Sequence, residues 1–441
     1  MRAKLKHNPD TFKNRGNHSG RSKNNRIRTV NRYLTPLLIL VFVFITSFSI
    51  TAQHKDTIVQ YASAKERVAD SLNRQQDIFD LFNKIFGAHI SSKPDTLKLR
   101  PGKLFFALVP AIGYTLEGNW LANVSLNTSF YTANPSSTNL STINYGTQYD
   151  LNHQLIVPVI SDLWLKNNTI NLLGDWRYYI YPSYTYGLGG NTSLSNSDLI
   201  DYSYIRFYQE VLGHFNSFFY FGGGFNYDDH FFIKEEGTNP DYNAYTRGAT
   251  QTISSGPVVH FMYDSRSNIN NPIDAFYGSV TYRYSPTVLG STQQWQSVFL
   301  EFKKYIKLWP SSPNVLALWS WNVFTFGGNA PYFDMPSNGW DINNNSGRGY
   351  IQGRFRGQNM IYDEAEYRFR ITGNGLLGGV LFANAESVTQ YPNNKFEYID
   401  PGYGVGLRLK MNKYSDVNLC FDYGFGIMGS RGLFVNLGEV F

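Results

Sequence analysis

The stretch Asn119-Trp-Leu-Ala-Asn-Val-Ser-Leu-Asn-Thr-Ser-Phe-Tyr131 alternates with a period of two. In an extended chain Trp120, Ala122, Val124 and Leu126 point one way, and Asn123, Ser125 and Asn127 point the other. One face can meet lipid while the other meets a wet interior. The same pattern recurs from Lys103 to the last residue. About sixteen segments of strand length begin near positions 103, 119, 139, 153, 168, 203, 217, 249, 275, 291, 313, 360, 376, 401, 415 and 431. Aromatic residues make up 17% of the chain, with 32 Tyr and 33 Phe against 8 Trp, while only 16% are charged. At a mean hydropathy of −0.32, the sequence lacks the set of long apolar runs that a helical membrane protein needs. It predicts an all-β fold, a closed antiparallel transmembrane β-barrel of about 16 strands over residues 101–441. Closure leaves no open edge in lipid.

An even strand count returns both ends of the barrel to one side. Connections after odd strands then form the outer rim and include 181–202, 234–248 and 329–359, the longest and the richest in Asn, Ser and Gly. Long outer loops and short periplasmic turns are the asymmetry expected of outer-membrane barrels.

The amino-terminal region reads differently. Residues 1–33 carry ten Lys or Arg and one acid, Asp10, so the formal +6 of the chain leaves about −3 for the remainder. The basic balance therefore belongs to the leader and implies no nucleic-acid partner. Pro36 to Ile50 is apolar but only about 15 residues long, short of a membrane-spanning helix, and Ser49-Ile-Thr-Ala52 offers small residues for cleavage. We expect a signal peptide over 1–52; an uncleaved anchor is the alternative. Residues 53–100 form a short periplasmic extension. Val68, Leu72, Phe79, Phe82 and Phe86 recur there at helical spacing before Gly87, predicting a helix whose Phe-rich face docks under the barrel or lies at the lipid surface, docking being preferred.

The single cysteine, Cys420, excludes an internal disulfide; in the run Val417-Asn-Leu-Cys-Phe-Asp422 it reads as a packed apolar side chain rather than a reactive thiol. The last residues, Leu433-Phe-Val-Asn-Leu-Gly-Glu-Val-Phe441, place Leu433, Val435, Leu437 and Phe441 on one face, with Asn436 and Gly438 on the other. An alternating last strand of this kind, with Leu437, Gly438 and Phe441 at its end, is similar to the signal by which barrel precursors are recognised for insertion.

Further motifs lie in the connection before the strand near 360. It contains Gly347-Arg-Gly-Tyr350, and that strand reads Ile361-Tyr-Asp-Glu-Ala-Glu-Tyr-Arg-Phe-Arg370. These residues resemble the barrel of the BamA/TamA family, the bacterial surface antigen proteins that assemble or translocate outer-membrane proteins. Arg348, Gly349 and Tyr350 match the family's Arg-Gly-aromatic tip of a loop folded into the lumen, and Glu366 to Phe369 resembles its following strand. Tyr263-Asp-Ser-Arg266 with Asn271, Pro272 and Gly278 resembles a periplasmic turn motif built on Asp264 and Arg266. Tyr403 to Arg408 is similar to a late strand. The resemblance covers roughly 101–441. It implies that Phe382-Ala-Asn-Ala-Glu386 receives the loop arginine, with Asn384 where the family has Asp and Glu386 where it has Gly. A guanidinium lowered into a barrel needs such partners, because an unpaired charge away from water is costly. Glu366, Asn384 and Glu386 are the candidates, and a loop merely made rigid is the plainer reading. The family's periplasmic repeat domains do not fit into about 48 residues.

Catalytic signatures are sparse. No Gly-x-Ser-x-Gly, His-Glu-x-x-His or phosphate loop occurs, and His54, His89, His153, His214, His230 and His260 lack close metal-ligand spacing. Asp228-Asp-His230 reads as exposed polar loop. We therefore expect neither an enzyme nor a cofactor or metal. The resemblance implies a barrel that assists insertion or translocation of proteins at the outer membrane of a Gram-negative bacterium. Its surroundings would be outer-membrane lipid, its partners unfolded outer-membrane proteins and periplasmic or lipoprotein subunits. A passive pore or structural subunit is the alternative, and a barrel enzyme a third.

Overall fold

The computed structural model describes residues 74–87, 89, 101–115, 119–135, 137–216, 218–236, 248–310 and 312–441. The expected leader, most of the 53–100 extension and residues 237–247 lie outside them. Seventeen strands form one antiparallel sheet. They are β1 (Phe105–Thr115), β2 (Asn119–Phe130), β3 (Ser141–Asp150), β4 (Leu155–Trp164), β5 (Ile170–Ile180), β6 (Ser183–Thr185), β7 (Asp198–Asn216), β8 (Phe219–Glu235) and β9 (Gln251–Asp264), then β10 (Ala275–Ser285), β11 (Trp295–Lys307), β12 (Val315–Phe326), β13 (Met360–Arg370), β14 (Leu377–Val388), β15 (Asp400–Asn412), β16 (Val417–Phe425) and β17 (Arg431–Leu437).

Strands consecutive in the chain pair with one another, except that β5 and β6 both pair with β7. The backbone shows why. Tyr181 N–H still donates to Tyr202 O (2.8 Å), and pairing resumes at Ser183 in the same register that joins Ile180 to Ser203. β6 is thus the end of β5 after a two-residue interruption at Tyr181 and Pro182, and the other sixteen strands fall on the sixteen segments read from the sequence.

The two faces of the sheet differ in chemistry. Along β13, Tyr362, Glu364, Glu366 and Arg368 are buried on one face, while Ile361, Ala365, Tyr367 and Phe369 point to the other. Outward positions elsewhere carry exposed apolar side chains, among them Val124, Leu381, Val405, Leu407, Leu433 and Val435. Outward aromatic pairs cross neighbouring strands, as in Phe221 and Phe261 (ring centroids 4.5 Å). Residues Asp228, Asp229 and His230 lie within β8, and Asp228 and His230 are buried on its inner face rather than forming an exposed loop. The sheet curls around the β12–β13 connection, which touches β5–β9 on one side and β13–β16 on the other.

The expected closure is not a hydrogen-bonded one. Among the described residues no register pairs β1 with β17, although Cα atoms of the two come within 8 Å. Each has a single ladder, β1 with β2 and β17 with β16. A further difference lies at the chain end. Leu433, Val435 and Leu437 face outward, but Gly438, at φ +91°, turns the backbone. Glu439, Val440 and Phe441 then run inside, so Phe441 leaves the face of Leu437 and is buried against Trp319 (5.2 Å between ring centroids) and Tyr305 (6.4 Å). Arg368 explains the turn: its guanidinium lies over the Phe441 ring (5.1 Å) and donates to the Phe441 carbonyl (3.0 Å). Cys420 is buried, with Sγ 3.1 Å from Gly438 O.

Helix α1 (Ile78–Phe86) is the described part of the extension. A capping box starts it, Asp77 accepting from the Phe79 and Asp80 N–H groups while Asp80 accepts from Asp77 N–H, and Gly87 ends it in the left-handed region. None of its residues is buried. The preferred docking of a Phe-rich face is therefore not found: α1 is held by its polar amino-terminal turn.

Candidate functional site

The β12–β13 connection carries the Arg-Gly-Tyr tip into the interior. Asp341 folds the approach. Its Oδ2 accepts from Asn343 N–H (3.2 Å), an Asx turn, and its Oδ1 accepts from Asn345 N–H (2.8 Å) and Ser346 N–H (2.7 Å). Burial raises the Asp341 carboxyl above its ordinary value.

Arg348 is fully enclosed. Its Nη1 donates to Asp422 Oδ2 (2.6 Å), and its Nη2 to Glu364 and Glu366. The guanidinium carbon lies 3.8 Å from the centroid of the Phe382 ring. Arg368 and Arg408 extend the cluster: Arg368 Nε donates to Glu366 Oε2 (2.7 Å), and Arg408 bonds Asp422 and Glu439. Three guanidinium groups thus meet four carboxylates from β13, β16 and the 438–441 tail. Strand alternation puts Glu364 and Glu366 on one face, while the pairing of β15 with β16 brings Asp422 opposite Gly406, next to Arg408.

Of the three partners expected for Arg348, Glu366 holds it directly. Asn384 acts differently: its Nδ2 donates to the Arg348 carbonyl (3.0 Å) rather than accepting from the guanidinium. Glu386 is not one of the Arg348 partners. It sits opposite Asp400 in the β14–β15 ladder, toward Arg354, because its position on β14 lies one inward step nearer the loop rim than Asn384. Glu364 and Asp422 were not foreseen. Their inward placement was legible from alternation, but the strand register that joins them was not.

Gly349 and Tyr350 seat the tip on β15 and β16. Tyr350 OH donates to Pro401 O (2.6 Å) and accepts from Ile427 N–H (3.0 Å), and Ser430 Oγ donates to Gly349 O (2.8 Å). Gly349 has φ +117°, and a Cβ there would stand 2.8 Å from Phe425 O; across the contact, a Cβ on Gly424 would meet Gly349 N at 2.7 Å. Both strain and backbone collision oppose any side chain. Gly349→Ala is expected to unseat the tip and lower the urea midpoint of the folded protein, with Gly349→Val worse.

The opposite wall holds the same connection with weaker groups. Arg177 Nη2 donates to Ile342 O (3.4 Å), Tyr181 OH to Gln352 Oε1 (3.1 Å), and Gly189 N–H to Arg356 O (2.7 Å). Ser254 Oγ donates to Asp334 Oδ2 (2.7 Å), and Phe333 packs on Tyr202. Burial, reinforced by the nearby Asp228 carboxylate, pushes the Asp334 carboxyl up to about 7. A carboxyl raised from an ordinary 3.8 stabilises fully below that pH, and the contribution is lost as pH rises through about 7. The thermal midpoint should therefore fall between about pH 4 and 7, and Asp334→Asn should flatten that part of the profile.

The short-turn end is tied across as well. Arg266 clasps Asp264 with two parallel bonds (2.9 and 2.8 Å). Asn271, just before Pro272, donates to Asp416 in the β15–β16 turn (3.2 Å), and Glu439 N–H donates to Asn270 O (3.2 Å). Loop tip and tail also meet, through Asn345 Nδ2 and Val440 O (2.9 Å).

No protein-family model and no curated protein sequence matches this chain. Solved structures do. The chain is similar to BamA from Haemophilus ducreyi, in a crystal structure lacking POTRA domains 1–3, with a TM-score of 0.51 and 14% identity over 76% of this chain and 70% of that one. It is similar to CdiB from Acinetobacter baumannii at a TM-score of 0.50 and 14% identity, over 76% of this chain and 60% of that one. It thus spans about three fifths of CdiB. The fold is of the BamA/TamA type.

Proposed function

We propose that this BamA/TamA-type sheet closes in the outer membrane of a Gram-negative bacterium as a barrel that assists protein insertion or translocation, without catalysis and without a cofactor. The observation that carries the reading is the seam. β1 and β17 approach each other without a ladder, and β17 stops after seven residues because Gly438 turns the chain inward. In an apolar surrounding, unpaired backbone N–H and C=O groups are costly, so such an edge favours a strand from another chain. The arginine-held loop keeps β13 to β16, the wall that leads to β17, in shape while the seam yields. Lipid surrounds the barrel; unfolded outer-membrane proteins are its clients, and periplasmic or lipoprotein subunits deliver them.

The alternative is a passive pore or structural subunit. The loop that crosses the interior from β5 to β16 argues against a steady open pore. Paired cysteines joining β1 to β17 test the choice. An insertion or translocation device loses function when the pair is oxidised and regains it on reduction, whereas a structural subunit works equally well locked.

A further inference from the structure

Helix α1 is attached to the rim through its polar first turn. Gln75 lines a cavity of about 160 Å³ inside the short-turn end, together with Arg368, Arg408 and Glu439. The next residues pass between two turns. Gln76 N–H donates to Asn374 O (3.0 Å), and Asn374 Nδ2 donates to Gln76 Oε1 (2.6 Å), both at the β13–β14 turn. At the β15–β16 turn, Lys413 N–H donates to Asp77 Oδ2 (3.2 Å) and Lys413 Nζ to Asp80 Oδ2 (2.7 Å). Gln75 to Asp77 are thus clasped between the two turns, and the chain continues as α1.

The helix beyond the clasp is two-faced. Leu81, Phe82, Ile85 and Phe86 are exposed, from 37% for Leu81 to 68% for Phe86. At 100° per residue they cover an arc of about 140°, and Asp80, which binds Lys413, lies opposite. Water is a poor medium for this face, and nine residues are too few to hold a helix by propensity alone. The strands beside the clasp carry exposed apolar side chains of their own: Ile371 and Leu377 flank the turn that binds Gln76, and Leu381, Val405 and Leu407 follow along β14 and β15.

Resting on the outer-membrane reading above, we infer that α1 is an interfacial anchor. It lies along the periplasmic leaflet with Leu81, Phe82, Ile85 and Phe86 in the headgroup and acyl boundary, while Lys413 pins its first turn to the rim. A short amphipathic helix gains most at that depth, its polar side staying in water. The occupant of this face is lipid rather than a protein subunit, because the turn that clasps Gln76 is itself flanked by exposed apolar strand side chains, Ile371 and Leu377.

The test is a spin label at Phe86→Cys in the full chain, reconstituted in phosphatidylethanolamine–phosphatidylglycerol vesicles, with a second label at Leu407→Cys; Cys420 is buried and serves as the unlabelled background. Collision with oxygen and with a water-soluble nickel chelate is compared. The proposal expects both labels to be rich in oxygen and several-fold poorer in nickel than a label at the exposed Lys395→Cys. A Phe86 label open to nickel while Leu407 stays shielded overturns the anchor and leaves the barrel standing. A Phe86 label shielded from both reagents means a protein covers the face, and it overturns the anchor as well. Nickel access at Leu407 would instead sink the membrane reading on which the proposal rests.

Discussion

Replacing Arg348 by alanine is expected to cost the folded protein about 3–5 kcal/mol, the range for breaking a buried ion pair by removing one partner. The physical reason is the charge left behind. Glu364, Glu366 and Asp422 have fully buried side chains, and Arg348 is the group that bridges all three. Arg408 still faces Asp422 and Arg368 still faces Glu366, so Glu364 suffers most. Arg348→Lys should be intermediate at best, since an ammonium is a point charge and cannot reproduce a planar fork that meets carboxylates on two strands. Glu364→Gln should be milder than either. Urea unfolding of the purified protein, followed by loss of its compact gel mobility, measures the order. Equal midpoints for wild type and Arg348→Ala would show that the cluster does not hold the loop.

Phe441→Ala is the second large expectation, again about 3–5 kcal/mol, as for other buried aromatic truncations. Phe441 is 4% exposed, stacks on Trp319 and lies under the Arg368 guanidinium. The truncation opens a cavity beside that charge and frees the tail from Asn345. Leu437→Ala is the internal control: Leu437 is 61% exposed on the outer face and should be far cheaper. Refolding of purified chains into detergent separates this packing effect from any role of Phe441 in delivery within the cell. If the two variants lost similar stability, Phe441 would share the outward face of Leu437, and the inward tail would be wrong.

The comparison of these two residues shows what a sequence can and cannot carry here. The period of two depends only on local geometry, so the strand starts were legible, down to β13 at Met360. The extra strand β6 came from a two-residue interruption of one continuous register, which the period of two does not mark. Phe441 followed the alternation by parity, but Gly438 broke the period, and a left-handed glycine leaves no mark that distinguishes it from a glycine in a strand. Arg348 was legible as a group needing carboxylates. Which carboxylates depends on register across four strands, so Glu366 was found, Glu364 and Asp422 were missed, and Glu386 was placed with the wrong arginine. The helical spacing of Phe79, Phe82 and Phe86 pointed to an apolar face without saying what covers it.

We propose that this chain serves other proteins of its membrane. Depleting it in the cell, and then quantifying every other folded barrel in the outer membrane, tests that directly. The expected result is a broad or selective loss of folded barrels that wild type restores, and that a β1–β17 cysteine pair restores only under reducing conditions. An unchanged outer membrane after complete depletion, or full rescue by the oxidised pair, would contradict it.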